Sequence, residues 1–345
     1  MRFLCSLVGS LGILCASLAV ADDWPQWLGP HQDSVWREDG IVAEIPAEGL
    51  PVVWRAKVGW GYAGPAVAEG RVYLMDYLLS EGTITNNPGG ADKTKGKERV
   101  FCLDAQTGQM IWEHQYDRSY AISYAGGPRC TPTVVDDKVY ALGAEGNLWC
   151  LDSANGAVIW SVDFVKDYGA KTPMWGFCSH PLVDGDYVYA MVGGIDSVIV
   201  AWNKETGKEV WRALAAKQTG YCPPSIIEHA GCRQLMAWHG ESLNSLDPKT
   251  GKVYWSVPLE ANFGMAISMP RKWESYLLAS NYGIAALLEL DDQQPGAEIV
   301  WRGQPKDAIY AANVTPFIEQ GTIYGCDIES GTLMGVDLKT ADRLW

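Results

Sequence analysis

The sequence predicts an all-β chain, a β-propeller of four-stranded antiparallel blades. Three observations carry this. A turn motif closed by Trp returns six times, the Trp-to-Trp steps are 48, 51, 44, 46 and 44 residues, and no long stretch has helical periodicity. A period in the forties with β-type sequence between markers describes a circular array of small sheets that share a core. The copies are Asp104–Gly108–Trp112, Asp152–Gly156–Trp160, Asn203–Gly207–Trp211, Asp247–Gly251–Trp255 and Asp337–Ala341–Trp345, with a looser Asp291–Gly296–Trp301. The acid or amide accepts from backbone N–H groups of the turn, and the Gly takes the left-handed conformation without steric cost. The Trp brings a large apolar area to the seam between units.

The elements follow in order. Residues 1–21 read as a secretory signal: a short basic start, an apolar run from Phe3 to Leu18, and Ala19-Val-Ala21 as the cleavage site. Residues 22–50 form an irregular leader whose Trp24 and Trp27 cap a hydrophobic surface of the ring. The propeller occupies 51–345. Trp54 resembles an outer-strand Trp without a preceding hairpin. It is expected on an N-terminal strand belonging to a blade completed from further along the chain. The expected tally is therefore six blades plus one N-terminal strand, with roughly 50–100 residues, about one or two blades at this period, beyond Trp345. Each unit then repeats inner strand, tight turn, second strand, third strand, marker turn and outer strand. Thr133–Val135, Lys138–Leu142, Leu148–Leu151 and Ala157–Ser161 are one set. Glu81 to Glu98 inserts a polar surface loop into the first blade.

Composition removes several functions. There are 41 acidic against 27 basic residues, a net charge of −14, and no basic cluster, so nucleic acid and anionic membranes are poor partners. No segment after the signal is apolar enough to span a membrane. The seven cysteines after residue 21 include no C-x-x-C and no adjacent pair. Cys102 and Cys150, at matching places in consecutive units, are expected as buried thiols. The five histidines lack metal-ligand spacing, so no metal site is expected. Neither a Walker loop nor G-x-S-x-G occurs.

The D-x-x-T-G-x-x-x-W repeat resembles the tryptophan-docking repeat of pyrroloquinoline-quinone (PQQ) type propellers, the quinoprotein alcohol dehydrogenase-like superfamily. Trp24-Pro-Gln-Trp-Leu-Gly-Pro30 and Trp175-Gly-Phe-Cys-Ser-His180 look like a bacterial exported branch of PQQ-binding-like repeat proteins. That branch is similar to the propeller component of the outer-membrane β-barrel assembly machinery. The resemblance implies an eight-bladed ring. Its dehydrogenase members imply PQQ with Ca²⁺, a catalytic Asp and a disulfide between adjacent cysteines. The adjacent cysteines are missing here, and no numbered residue matches the calcium or catalytic pattern.

Loops running from an outer strand to the next inner strand gather at the mouth of a propeller channel, and binding groups sit on such loops. Here they offer Tyr62, Arg129, Trp175, His180, Tyr221 and Asn313 as ligand-binding residues. Flat apolar faces with one guanidinium suit a polar ligand. The expected function is a non-catalytic exported module, periplasmic or extracellular. It binds or scaffolds an envelope protein or carbohydrate and needs no cofactor. The alternative is a PQQ-dependent oxidoreductase.

Overall fold

The structure, a computed structural model, describes residues 22–304 and 306–345. The expected signal peptide lies outside the described residues. Six antiparallel sheets follow one another along the chain, each with its strands side by side in sequence order. Blade 1 is β1 (Ala66–Ala68), β2 (Arg71–Glu81), β3 (Asp92–Asp104) and β4 (Met110–Ile122). Blade 2 is β5 (Thr133–Val135), β6 (Lys138–Leu142), β7 (Asn147–Asp152) and β8 (Val158–Asp163), followed by the one-turn helix α1 (Phe164–Tyr168). Blade 3 is β9 (Leu182–Asp184), β10 (Tyr187–Gly194), β11 (Ser197–Asn203) and β12 (Glu209–Ala213). Blade 4 is β13 (Ser225–His229), β14 (Cys232–Trp238), β15 (Ser242–Leu246) and β16 (Val253–Pro258). Blade 5 is β17 (Arg271–Trp273), β18 (Tyr276–Asn281), β19 (Ile284–Leu290) and β20 (Ala297–Arg302). Blade 6 has three strands, β21 (Phe317–Glu319), β22 (Thr322–Asp327) and β23 (Thr332–Asp337). First strands of successive blades touch, β1 with β5, β5 with β9 and β17 with β21, so they face the axis.

The marker turns form as their residues dictate. Asp104 Oδ1 accepts from the N–H groups of Gln106 and Thr107 at 3.1 and 2.8 Å, and Asn203 Oδ1 from those of Glu205 and Thr206 at 3.1 and 3.0 Å. Each indole then docks on the turn of the following blade. Trp112 Nε1 donates to Ser153 O at 2.9 Å, Trp160 to Lys204 O at 2.9 Å, Trp211 to Pro248 O at 3.0 Å and Trp301 to Leu338 O at 2.9 Å. The ring lies flat on the marker glycine. Gly156 has φ +73°, and a Cβ there would sit 2.5 Å from the Trp112 ring. Glycine is thus required twice, for its backbone and for the approach of the indole. Trp255 differs: the turn after it, Asp291 to Gly296, is longer, and its Nε1 donates to Gln234 Oε1 of its own blade at 3.0 Å.

The marker turns define a lower face. Loops from an outer strand to the next inner strand define the upper face. Apolar clusters fill each seam, such as Tyr140, Leu148, Trp160, Val188 and Trp202 between blades 2 and 3. The seven described cysteines are all free thiols, with Cys102 and Cys150 buried.

Four expectations change. Residues 51–59 are not a strand: among the described residues their backbone joins no ladder, Gly59 N–H donates to the Asp76 carboxylate of β2 at 2.6 Å, and Trp60 alone bridges to Tyr77. Trp54 still docks as a marker, its Nε1 donating to Ala105 O at 2.8 Å and its ring lying on Gly108. Trp345 is not on a strand either. Arg343 bridges Val336, but the Trp345 ring lies exposed over Gly335 of its own blade, with no turn of a following blade against it among the described residues. The insertion is strand in its second part: Asp92–Glu98 belongs to β3 and pairs with β4, and Lys95–Glu98 pairs with β2 as well. Only residues 82–91 form a loop, held by Ser123 Oγ donating to Asn87 O at 2.7 Å. Finally, the leader does not merely cap the ring. Trp24 bridges Val67 of β1, Pro25 O accepts from Val134 of β5, Trp27 stacks on His180, and Gln32 O accepts from Arg271 of β17 at 2.6 Å. It passes across the axis.

Candidate functional site

The upper face carries a cleft of about 810 Å³ among the loops of blades 2 to 5. Local sequence explains its walls. Asp163 caps α1 by accepting from Val165 and Lys166, and Gly169 ends the helix in the left-handed conformation. The chain is then released as the loop carrying Lys171, Met174 and Trp175. The β10–β11 turn holds Ile195 out, 85% exposed. Phe263, 74% exposed, stacks on Tyr282 with ring centroids 6.1 Å apart and 14° between planes. Trp175 meets Tyr221 edge-on at 5.5 Å. Lys171 and Lys217 stand on the rim, and Pro88 of the blade 1 loop closes one side. A smaller hollow of about 380 Å³ adjoins it, sharing Gln218 and Phe263 and adding Glu241 and Glu260. Apolar side chains exposed together in a concave place are what a docking site presents.

Of the six residues expected at the mouth, Trp175 and Tyr221 line this cleft. Burial pushes the Tyr221 hydroxyl up, so it is a neutral donor. Tyr62 and Arg129 form a second pair beside it. The guanidinium lies 5.1 Å over the Tyr62 ring, and Tyr62 donates to Asn86 Oδ1 at 2.5 Å. Arg129 also donates to the carbonyls of Ser123 at 2.9 Å, Tyr124 at 2.5 Å, and Gly127. It ties its own loop together and is not a free fork for a ligand carboxylate. His180 does not join the cleft. It stacks on Trp27 at 4.6 Å and 15°, and burial lowers it to about 3, leaving a neutral imidazole whose Nδ1 is buried without a partner. Asn313 is exposed on the loop before β21.

Met174, Ile195, Phe263 and Tyr282 were not among the expected residues. Ile195 and Tyr282 sit on turns within a blade, between second and third strands, which also reach the upper face. The available signal was a bulky apolar residue amid turn formers, as in Gly193-Gly-Ile-Asp196. Among the described residues no three His, Cys, Asp or Glu side chains lie close enough to hold a metal ion, and no helix is long and apolar enough to cross a membrane.

The family described as outer membrane protein assembly factor BamB matches residues 96–345. No curated protein sequence matches the chain. BamB from Moraxella catarrhalis is similar in structure, at 18% identity over 84% of this chain and 86% of that one, with a TM-score of 0.54. A europium-containing methanol dehydrogenase aligns at 14% identity over 86% of this chain and 80% of that one, TM-score 0.51. Quinohemoprotein alcohol dehydrogenase from Comamonas testosteroni aligns at 14% identity over 94% and 66%, TM-score 0.56. At such identities the structural likeness concerns the fold alone. Together with the match over residues 96–345 and the blades just described, it places the chain in the PQQ-like β-propeller superfamily, within the family described as outer membrane protein assembly factor BamB.

Proposed function

We propose that this propeller is a non-catalytic, exported binding module whose upper cleft docks an envelope partner. One observation carries the reading: Met174, Trp175, Ile195, Tyr221, Phe263 and Tyr282 line one concave surface without a nucleophile–base pair or metal-ligand set among them. Such a surface binds by burying apolar area, with the two rim lysines orienting an acidic flank. The family's description as an assembly factor makes an envelope protein the first partner class, and a carbohydrate stacking on the aromatic rings is the second.

The PQQ dehydrogenase reading shares the fold but finds less support in these residues. PQQ is a flat tricarboxylate bound with Ca²⁺, and at the channel axis it would need room and a free cationic donor. Arg129 is committed to main-chain carbonyls, and the leader lies across the axis. We infer that the protein needs no quinone.

The test places a photo-crosslinking side chain at Ile195 in the exported protein. The expected product is one envelope protein, lost with Phe263→Glu at unchanged melting temperature. Crosslinking unaffected by Phe263→Glu and Met174→Glu sinks the cleft reading. Saturable PQQ binding with Ca²⁺ in calorimetry sinks the non-quinone reading.

A further inference from the structure

The leader is a compact unit in its own right. Trp24 folds its ring onto Gly29, whose φ is +80° and whose missing Cβ would stand 2.9 Å from the indole. Gly29 N–H donates to Gln26 O at 3.1 Å, Gln32 N–H to Gly29 O at 3.1 Å, Ser34 N–H to Leu28 O at 2.9 Å, and Gln26 Nε2 to Pro30 O at 3.2 Å. The loop thus satisfies much of its own backbone, as compact surface loops do. Three of its non-glycine residues, Leu28, Gln32 and Ser34, have φ of 64°, 53° and 62°. Side-chain-bearing residues avoid that region, and such strain gathers where a segment is held by its surroundings.

Its ties to the ring are few and fall on separate blades. Two hydrogen bonds of 2.8 and 2.9 Å join Trp24 to Val67, the Glu69 N–H of the same blade donates to the Asp23 carboxylate at 3.1–3.2 Å, one of 2.8 Å joins Val134 to Pro25, and one joins Arg271 to Gln32. Trp27 covers the His180 ring, and Trp27 and Leu28 pack against the apolar seam of blades 4 and 5. No blade strand is completed by the leader; every blade from 2 to 5 has its four strands without it.

We propose that residues 22–34 are an internal ligand of the ring, a strap that covers the His180 imidazole at the axis and opens as one unit while the blades stay folded. The strap is strained and internally bonded, and it is docked through a handful of dispersed contacts. Segments of this kind open well below the free energy of global unfolding. Opening uncovers the imidazole face on which Trp27 stacks, on a ring whose Nδ1 has no hydrogen-bond partner.

Native-state hydrogen exchange on the full protein tests the unit. The amides of Trp24, Val67 and Val134, which bond across the docking contact, should exchange together, at least tenfold faster than those of β6 and β10. Exchange at the same rate as β6 and β10 overturns the proposal, because the leader would then open only with the ring. Imidazole carbethoxylation by diethyl pyrocarbonate, mapped by mass spectrometry, tests the covering. His180 should react at least tenfold faster in Trp27→Ala than in the parent, at a midpoint of thermal unfolding above the reaction temperature. An equal rate in the two proteins overturns the proposal. Should Trp27→Ala fail to fold, the exchange measurement on the parent still decides.

Discussion

Trp160 and Gly207 show what a single residue contributes here. The indole covers a backbone that only glycine reaches without strain, and its N–H satisfies a turn carbonyl. Trp160→Ala should destabilise the protein by roughly 3–5 kcal/mol, as large aromatic deletions in packed seams do. Trp112→Phe keeps most of the area but removes one of two donors to Ser153 O, Arg71 Nη1 remaining at 2.7 Å, and should cost about 0.5–1.5 kcal/mol. Gly156→Ala should cost at least ~1–3 kcal/mol from the left-handed backbone alone. Ala341 supplies a reversed control. It occupies the marker glycine position at φ 65°. Ala341→Gly relieves that backbone by about 1–2 kcal/mol, but it enlarges unfolded-state entropy and removes a buried methyl packed with Ala285, Ala308 and Tyr310, so stability should change by less than about 1 kcal/mol. Urea denaturation midpoints check all four; a loss in Ala341→Gly well above ~1 kcal/mol would show that the left-handed Ala carries no strain.

At the scale of elements, blade 1 is the exception that shapes the mouth. Its second, third and fourth strands run 11, 13 and 13 residues. The added length buries Glu98, which accepts from Tyr120 at 2.5 Å, from Tyr116, and from the Ala144 amide of blade 2 at 2.8 Å. Gly143 leaves the room: its Cβ would collide with Glu98 and Tyr116. Glu98→Ala orphans three donors at one seam and should cost about 3 kcal/mol or more, with Glu98→Gln intermediate, measured by the same midpoints. The repeat made the four strands of blade 2 legible to within two residues, since apolar alternation and turn residues act locally. The insertion read as a loop because Asp92-Lys-Thr-Lys-Gly-Lys-Glu98 is polar on both faces. What makes it strand is pairing with β2 and β4, which local composition does not carry.

For the whole molecule, burial of histidines couples the ring to pH. His114, His180 and His239 all have lowered pKa values, each through desolvation first, His180 to about 3. Unfolded histidines protonate near pH 6.5. The unfolded chain therefore binds protons that the folded ring refuses, and stability present above about pH 6.5 is lost progressively as pH falls toward the folded values. Asp33, Asp136 and Asp337, lowered by hydrogen bonds and neighbouring cations, add a second loss once the pH drops below roughly 3.9. Glu145, raised by burial, opposes the trend weakly. Denaturation midpoints should fall from pH 8 to 5 and again below 4, and His180→Phe should flatten the first decline. A midpoint that rises toward pH 5 refutes the coupling. The candidate site was legible only in part for a related reason. Ring geometry brings Trp175 and Tyr221 into contact across 46 positions of sequence, but it also slips Trp27 over His180. No spacing rule reports that, because the leader stands outside the repeat.

The indole-on-glycine seam also has a direction in time. Each docking Trp is covered by the turn of the blade that follows it in sequence, never by the one before. A chain emerging from the ribosome or an export channel therefore shows the indole of its newest blade to solvent until the next 44 to 51 residues appear and fold over it. Growth of the ring is a relay in which one sticky aromatic at a time waits for its cover. A pause in synthesis just after a marker Trp is the moment of greatest exposure to chaperones and to misassembly.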